Sequence, residues 1–479
     1  MNGKDKEGHV KPSKLLIKNF PFVPTQGQAS FFALMDGFLT EDQGGIPRVF
    51  ILKGYAGTGK TSLLSSLVRT LPKLGKKSLL LAPTGRAAKV MSNYSGRSAF
   101  TVHKIIYRPK GEAAELGLGF ELQKNYYKDT VFIVDESSML SDETMGGRSI
   151  LRDLVHYVFQ ESSNMLLLVG DTAQLPPVGT SLSPALDASY MIRHFRVKAQ
   201  IIELTEVMRQ ELDSGILFNA TRLREQLLAK EPAIHFVTKG FHDFFRMTGE
   251  RLEDGLRYAY NKYGTENTII ITRSNKAAVL YNQYIRRTIH FFDEEISAGD
   301  LLMVVKNNYT YMSESEKVNF IANGDFVEIV KIRSFEEMYG LRFATLELRL
   351  IDYPEEPFFE AKVILDTLHS PHPALSMEQY KNLYALVCED YADVANKSER
   401  MELIKKDPYL SALQVKFAYT LTCHKSQGGQ WDAVFVDQGY LNEDQVNHEF
   451  IRWLYTAVTR SKKEVFLVNF HPKFFGNQE

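Results

Sequence analysis

Gly54-Tyr55-Ala56-Gly57-Thr58-Gly59-Lys60-Thr61, entered from the apolar run Val49–Leu52, decides the reading of this chain. It fits the pattern G-x-x-x-x-G-K-[ST], and it stands between a strand-like run and a helix-like one that Pro72 stops. Glycines permit a tight turn in which successive backbone N–H groups wrap phosphates, and the following helix aims its positive end at the same charge. In such a loop Lys60 reaches the β- and γ-phosphates and the Thr61 hydroxyl sits on Mg²⁺. Gly54, Ala56, Gly57, Thr58, Gly59, Lys60, Thr61 and Ser62 are therefore candidate nucleotide-binding residues. A glycine-rich turn without a ligand is the competing reading, and the strand before and helix after it tell against that.

With 479 residues the chain is long enough for several domains, each with its own core. Hydrophobic content of 44% against 24% charged is that of an ordinary globular protein. No apolar run approaches the roughly 18 residues that span a bilayer, and the N-terminal residues carry both charge signs without an apolar stretch. Cys388 and Cys423 are too few for a structural zinc site or a disulfide framework, so the expected location is cytoplasmic, with no membrane partner. The net charge of −1 argues against a tail-driven nucleic-acid binder but is silent about a basic groove.

Outward from the loop, short continuous apolar runs recur at Ser78–Ala82, Val131–Val134 and Met165–Val169, and helix-like stretches separate them. That texture predicts an α/β fold with a parallel sheet covered on both faces. Upstream, residues 1–20 read as a loose arm. Pro24–Gln28 opens an amphipathic helix with Phe31, Phe32, Leu34, Met35, Phe38 and Leu39 on its apolar face. A second α/β unit begins near residue 213, with a strand at Thr268–Thr272 and a helix from Asn275 to Ile289, and its strands resume at Ala433–Val436 and Glu464–Val468. Between them, residues 304–415 change character. Phe326–Ile332 and Ala344–Leu350 alternate like antiparallel strands, and residues 376–406 read as charged helix. The expected organisation is an arm over 1–20, a first lobe over 21–212, a second lobe built from 213–303 and 416–479, and an inserted barrel with a helical arm over 304–415. The stretch from Tyr107 to Lys128, with Gly117 and Gly119, reads as a hairpin.

Asp135-Glu136 follows the strand Val131–Val134 directly. A carboxylate there can hold Mg²⁺, and its neighbour can orient or deprotonate an attacking water. The competing reading is a pair of acids capping the next helix. Gln174, in Gly170–Gly179 after another buried strand, has the donor and acceptor needed to sense a γ-phosphate or its water. Arg209 and Arg460 are candidate cationic fingers, although arginines of this kind are more often solvated surface groups.

Together, Gln28, the phosphate loop, Ala82–Ala88, Val134–Met139, Gly170–Gly179, Leu204–Gln210, Thr420–Gly428 and Tyr455–Arg460 stand in the order of the superfamily 1 helicases. The chain most resembles the B-type branch of RecD- and Dda-like DNA helicases, over Thr25 to about Val468. The resemblance implies two RecA-like parallel-sheet lobes, an SH3-like β-barrel with a helical arm inserted in the second, and a strand-splitting β-hairpin pin in the first. It implies ATP and Mg²⁺ as cofactors, with Gln28 on adenine, Thr61 and Asp135 on the metal, and Glu136 serving the water. Gln174, Arg209 and Arg460 would contact the γ-phosphate, with Lys60 and Gly428 also in the nucleotide site. Thr84, Arg86, His103, His424 and Lys425 match positions along the DNA single strand. The implied activity is ATP-dependent unwinding with 5′-to-3′ translocation, acting as a monomer on single strands and single–double strand junctions. Translocation that strips proteins without unwinding is the runner-up, and a nucleotide-switched scaffold is the reading from another class.

Trp431, Trp453, Tyr455, Tyr107 and Tyr126 could stack on bases but read first as packing residues. Asp352 with Glu360 and Lys362 imitates a nuclease metal set, for which two strands with outward charges is the preferred reading.

Overall fold

The computed structural model describes residues 11–40, 45–109, 120–143, 148–208, 213–308, 310–312, 320–441 and 446–475. The first described elements are α1 (Pro12–Asn19) and α2 (Gln26–Thr40). The expectation of a loose arm fails for α1. Leu16 is fully buried, Ser13 bonds both carboxylate oxygens of Asp36, and the Ser66 hydroxyl donates to the Leu16 carbonyl at 2.8 Å. Two apolar contacts in an otherwise charged segment leave little periodic signal. On α2 the predicted apolar face holds, except that Leu34 is exposed.

The first lobe follows with β1 (Arg48–Gly54), α3 (Lys60–Thr70), β2 (Lys77–Ala82), α4 (Gly85–Ser95), β3 (Ala99–Thr101) and α5 (Val102–Ile106). The hairpin β4 (Tyr107–Pro109) and β5 (Phe120–Leu122) is antiparallel; the intervening residues, with Gly117 and Gly119, lie outside the described ones. Then come β6 (Thr130–Val134), α6 (Ile150–Val158), β7 (Met165–Gly170), α7 (Ala188–Phe195) and β8 (Lys198–Leu204). The sheet is parallel, in the order β3-β2-β6-β7-β1-β8. Separate apolar clusters cover its two faces, which is why its central strands are continuously apolar. The edge strand β8 is half-exposed and escapes detection for that reason.

The second lobe opens with α8 (Gly215–Gln226), β9 (Phe244–Met247), α9 (Leu252–Tyr263), β10 (Thr268–Thr272) and α10 (Asn275–Tyr284). The chain then leaves for a closed barrel of β11 (Leu301–Val304), β12 (Phe326–Met338), β13 (Leu341–Leu350), β14 (Phe359–Ile364) and β15 (Leu413–Phe417). Helices α11 (Met377–Asp390) and α12 (Lys397–Lys406) form the arm. It returns as β16 (Thr420–Thr422), α13 (Cys423–Ser426), β17 (Trp431–Asp437), α14 (His448–Val458) and β18 (Ser461–Val468), giving a parallel sheet in the order β16-β10-β17-β18-β9.

The expected insertion limits of 304 and 415 cut through the barrel. Closure requires β11 and β15 to pair, as Leu302 does with Phe417, so the barrel runs from Leu301 to Phe417. Barrel and second lobe share one apolar cluster, and a buried pair locks their junction: Arg286 Nε and Nη2 donate to the two Asp300 oxygens at 2.8 and 2.9 Å. Tyr419 adds a third bond to Asp300 at 2.9 Å. The Asp352 imitation of a nuclease resolves into strand chemistry: Lys362 pairs with Glu336, Arg333 lies near Glu360, and no cluster of three or more His, Cys, Asp or Glu side chains among the described residues is placed to hold a metal ion by itself. No helix among the described residues is long and apolar enough to cross a membrane.

Leu16→Ala tests the seating of α1. Deleting a fully buried side chain is expected to cost about 2–5 kcal/mol, read as a lower urea midpoint for the first lobe. An unchanged midpoint would mean α1 does not belong to that core.

Candidate nucleotide site and nucleic-acid groove

Because β1, β6 and β7 run parallel, their C-terminal ends release Gly54, Asp135 and Asp171 along one edge of the sheet. A cavity of about 510 Å³ opens there, lined from the first lobe by the phosphate loop, Asp135, Glu136 and Gln174, and from the second by Gly428 and Arg460. Gly57 and Gly59 hold φ of 75° and 80°, the left-handed conformation that lets the loop turn onto α3. Lys60 Nζ donates to the Gly54 and Tyr55 carbonyls at 2.6 and 2.9 Å, which keeps the ammonium over the mouth of the loop. Thr61 and Ser62 face the same cavity.

Burial, and after it the charge of Glu136, push the Asp135 carboxyl up to about 6. Tyr94 on α4 opposes that by donating to Asp135 Oδ2 at 2.7 Å. Glu136 adopts φ of 51°, rare for a side chain of its size, and its N–H donates to Asp135 Oδ1 at 2.8 Å. Burial also raises Asp171, although Lys60 and Tyr455 favour its ionised form. The Gln174 side chain is buried, and its Oε1 accepts no hydrogen bond among the described residues. Lys60 at the mouth of the loop beside strand-end carboxylates fits a nucleotide phosphate with a divalent cation, and the orphaned Gln174 acceptor fits a donating water at the cavity wall.

Gln28, which the resemblance implies for adenine, is engaged within the protein. Its Nε2 donates to the Thr58 carbonyl at 3.0 Å and its Oε1 accepts from Thr25 N at 3.0 Å, so the buried amide braces the phosphate loop. Thr58 is itself buried, and its hydroxyl donates to the Tyr55 carbonyl at 2.8 Å within the loop. Arg209 lies outside the described residues.

The second lobe reaches this site through α14. Arg460 is buried, with Nη1 3.7 Å from Glu136 Oε1. The Tyr455 hydroxyl donates to Asp171 Oδ2 at 2.7 Å and accepts from Ala56 N at 2.8 Å. Thr456 Oγ1 accepts from Leu175 N at 2.8 Å, and Gln427 donates to the Leu175 carbonyl at 2.8 Å. The sequence offers Tyr455 only as a stacking or packing residue and gives no role to Asp171 or Tyr94; a tyrosine inside an apolar run signals packing, and only the fold turns its hydroxyl to the loop. Trp453 likewise stacks on Phe450 inside the second lobe, whereas Tyr126 is exposed.

A second cavity, of about 860 Å³, runs between the lobes and the barrel. It gathers Thr84, His103, His424 and Lys425, as the resemblance implies, and adds Lys306 and Asn308 from the barrel. Burial pulls the His103 imidazole down to about 4 and also lowers His424 and Lys425. Lys306 sits 3.6 Å above the Tyr380 ring of the arm, and burial brings it down to about 8. Nothing in the sequence marks Lys306, because its role comes from barrel closure. Arg86 is the exception among the expected strand contacts. Its guanidinium is turned away from this cavity and lies 4.4 Å from the Phe326 ring and 4.3 Å from the Trp431 ring.

Tyr455→Phe removes the partner of both Ala56 N and Asp171. Leaving the buried Asp171 oxygen unsatisfied is expected to cost about 1–3 kcal/mol, and the part-buried Ala56 N–H less, measured by thermal or urea unfolding. The deficit has a pH sign: with its folded pKa already raised and now raised further, Asp171 holds its proton more tightly in the folded state. The deficit is therefore full at neutral pH and shrinks as pH falls toward the ordinary carboxylate range. A deficit that grows on acidification would refute the assignment.

Comparison with known proteins agrees with this arrangement. An AAA domain family matches residues 39–237, and a UvrD-like helicase C-terminal domain family matches residues 417–468. The ATP-dependent RecD2 DNA helicase of Deinococcus radiodurans is 33% identical over 174 residues, 36% of this chain and 21% of that protein, so the match spans about a fifth of that relative. The ATP-dependent DNA helicase dda of Enterobacteria phage T4 is 25% identical over 473 residues, 93% of this chain and 99% of that one. Among solved structures, a Pif1 helicase from Candida albicans covers 95% of this chain and 96% of its own, at 16% identity and a TM-score of 0.46. The chain is thus similar, in its first lobe, to an AAA domain family, in its second lobe to a UvrD-like helicase C-terminal domain, over 36% of its length to the RecD2 helicase, and over nearly its whole length to the dda helicase.

Proposed function

We propose that this chain is an ATP- and Mg²⁺-dependent DNA helicase that tracks single-stranded DNA 5′ to 3′ and separates the duplex ahead of it. One observation carries the reading: a phosphate loop and strand-end carboxylates from one lobe meet a buried arginine from the other, beside a second groove that both lobes line. Lys60 exchanges its two carbonyl partners for the β- and γ-phosphates. Thr61 and Asp135 would hold Mg²⁺, which offsets charge on the phosphate oxygens. Glu136 takes the proton of the attacking water, the open Gln174 Oε1 orients it, and Arg460 moves from Glu136 to the transferring phosphoryl group. Closing and opening of the seam then shifts the groove walls past one another, which steps a strand held by Thr84 and His103 on one side and His424 and Lys425 on the other. The β4–β5 hairpin is the proposed strand separator, and one copy of the chain suffices.

Two identical duplexes, one with a 5′ single-stranded tail and one with a 3′ tail, test the proposal at fixed moderate salt. Unwinding from the 5′ tail alone is expected. Unwinding from the 3′ tail alone refutes the direction, and single-strand-stimulated ATPase without unwinding leaves a translocase.

Lys60→Ala is expected to abolish ATP turnover while single-strand binding persists. Arg460→Ala should lower kcat by about 10³-fold with a smaller change in KM, as for a finger acting on the transition state. A defect confined to KM would remove Arg460 from that role.

A further inference from the structure

Helix α4 is a single rod of Gly85–Ser95 that touches both cavities. Its N-cap Thr84 and Gly85 line the groove, while Ala87, Val90 and Tyr94 line the nucleotide cavity, where Tyr94 holds Asp135. Arg86 lies between the two and is wedged into an aromatic corner supplied by the other bodies of the molecule. Phe326 comes from barrel strand β12 and Trp431 from β17 of the second lobe, with ring centroids 6.4 Å apart at 61°.

The corner is tight on every side. A Cβ on Gly429 would stand 2.5 Å from the Trp431 ring and 3.2 Å from Arg86 Cδ. Gly428 has φ of 75°, and a Cβ there would meet the Ala87 Cβ at 2.6 Å. A Cβ on Gly85 would meet Asp325 Oδ1 of the barrel at 2.1 Å, an oxygen without a hydrogen-bond partner among the described residues. Asp352 supplies the nearby negative charge that favours the cationic guanidinium against its burial. A guanidinium is flat and weakly hydrated, so it stacks on rings in a way an ammonium of equal charge does not.

We propose that Arg86 is a positioning residue that rivets α4 to the second lobe and barrel, so that nucleotide-dependent movement of α4 at Asp135 reaches the groove. It is then not a phosphate ligand of the strand. The inference rests on the helicase reading, since it presumes that the groove holds a nucleic-acid strand.

The test measures single-strand oligonucleotide binding by the full chain over a salt series, with and without a non-hydrolysable ATP analogue, for wild type, Arg86→Lys and Arg86→Ala. The expected result is a wild-type salt slope in both variants, together with at least a fivefold loss of the analogue-induced change in affinity. Arg86→Lys should fail to rescue, because it restores charge but not stacking. Losing one phosphate contact instead lowers the slope by about 0.7; such a drop in Arg86→Ala, restored by Arg86→Lys, overturns the proposal. An analogue effect of wild-type size in both variants overturns it too. Should Arg86→Ala not fold, Arg86→Lys decides alone: loss of the analogue effect supports the rivet, and retention overturns it. A wild type that binds single strands but ignores the analogue removes the coupling and leaves the ATPase reading standing. One that binds no single strand removes the helicase reading itself.

Discussion

Charge imbalance at the edge of the first sheet is the constraint on which the rest of the structure depends. Three carboxylates, Asp135, Glu136 and Asp171, surround Lys60, and burial raises two of them. Parallel strand order forces this crowding, because β6, β7 and β1 are consecutive neighbours and all end on one side. Within the first lobe the surplus is relieved by neutral donors: the Tyr94 hydroxyl on Asp135 and the Glu136 N–H on its other oxygen. Fuller compensation comes from outside that lobe, through Arg460 and the Tyr455 hydroxyl. A site built this way is electrostatically complete only with a cation present and the other lobe close by.

The seam between the lobes combines polar bonds with a small apolar contact, Ala173 and Leu175 of the first lobe joining the second lobe's cluster. Single hydrogen bonds from Tyr455, Thr456 and Gln427 cross it, and the wedge of Arg86 closes its far end. The barrel shares a far more extensive part of that apolar core with the second lobe and is pinned by the buried Arg286–Asp300 pair. Separating it would expose that core and strand a buried charge, whereas hydrogen bonds at the seam exchange readily for water. The barrel therefore belongs mechanically to the second lobe, and relative displacement is cheapest against the first.

Much of this was legible in the sequence where a residue's chemistry and its local pattern coincide. The phosphate loop, Asp135-Glu136 and the buried strands fall in that class, since glycine spacing and apolar runs are local signals. Elements whose shape depends on partners were harder to read. β8 is a half-exposed edge, α1 buries only Pro12 and Leu16, and the barrel limits follow from β11 meeting β15 over a hundred residues away. Side-chain direction was the least legible of all. Gln28 sits where its motif demands yet spends both ends of its amide on Thr25 and Thr58, and Arg86 sits in its motif yet faces aromatic rings.

That last contrast explains why α4 matters more than its length suggests. Gly85 and Arg86 are fitted against the barrel and β17, while Tyr94, more than two turns on, holds the carboxylate of β6. A helix keeps its ends in fixed relation through its backbone hydrogen bonds, so whatever shifts Asp135 relative to the second lobe must either carry Gly85 along or break the aromatic wedge. Phe326 and Trp431 are both buried in the core shared by barrel and second lobe, which makes the receiving surface stiff. Stiffness on both sides of one guanidinium turns a small change at the phosphate end into a choice between two seatings rather than a continuous strain.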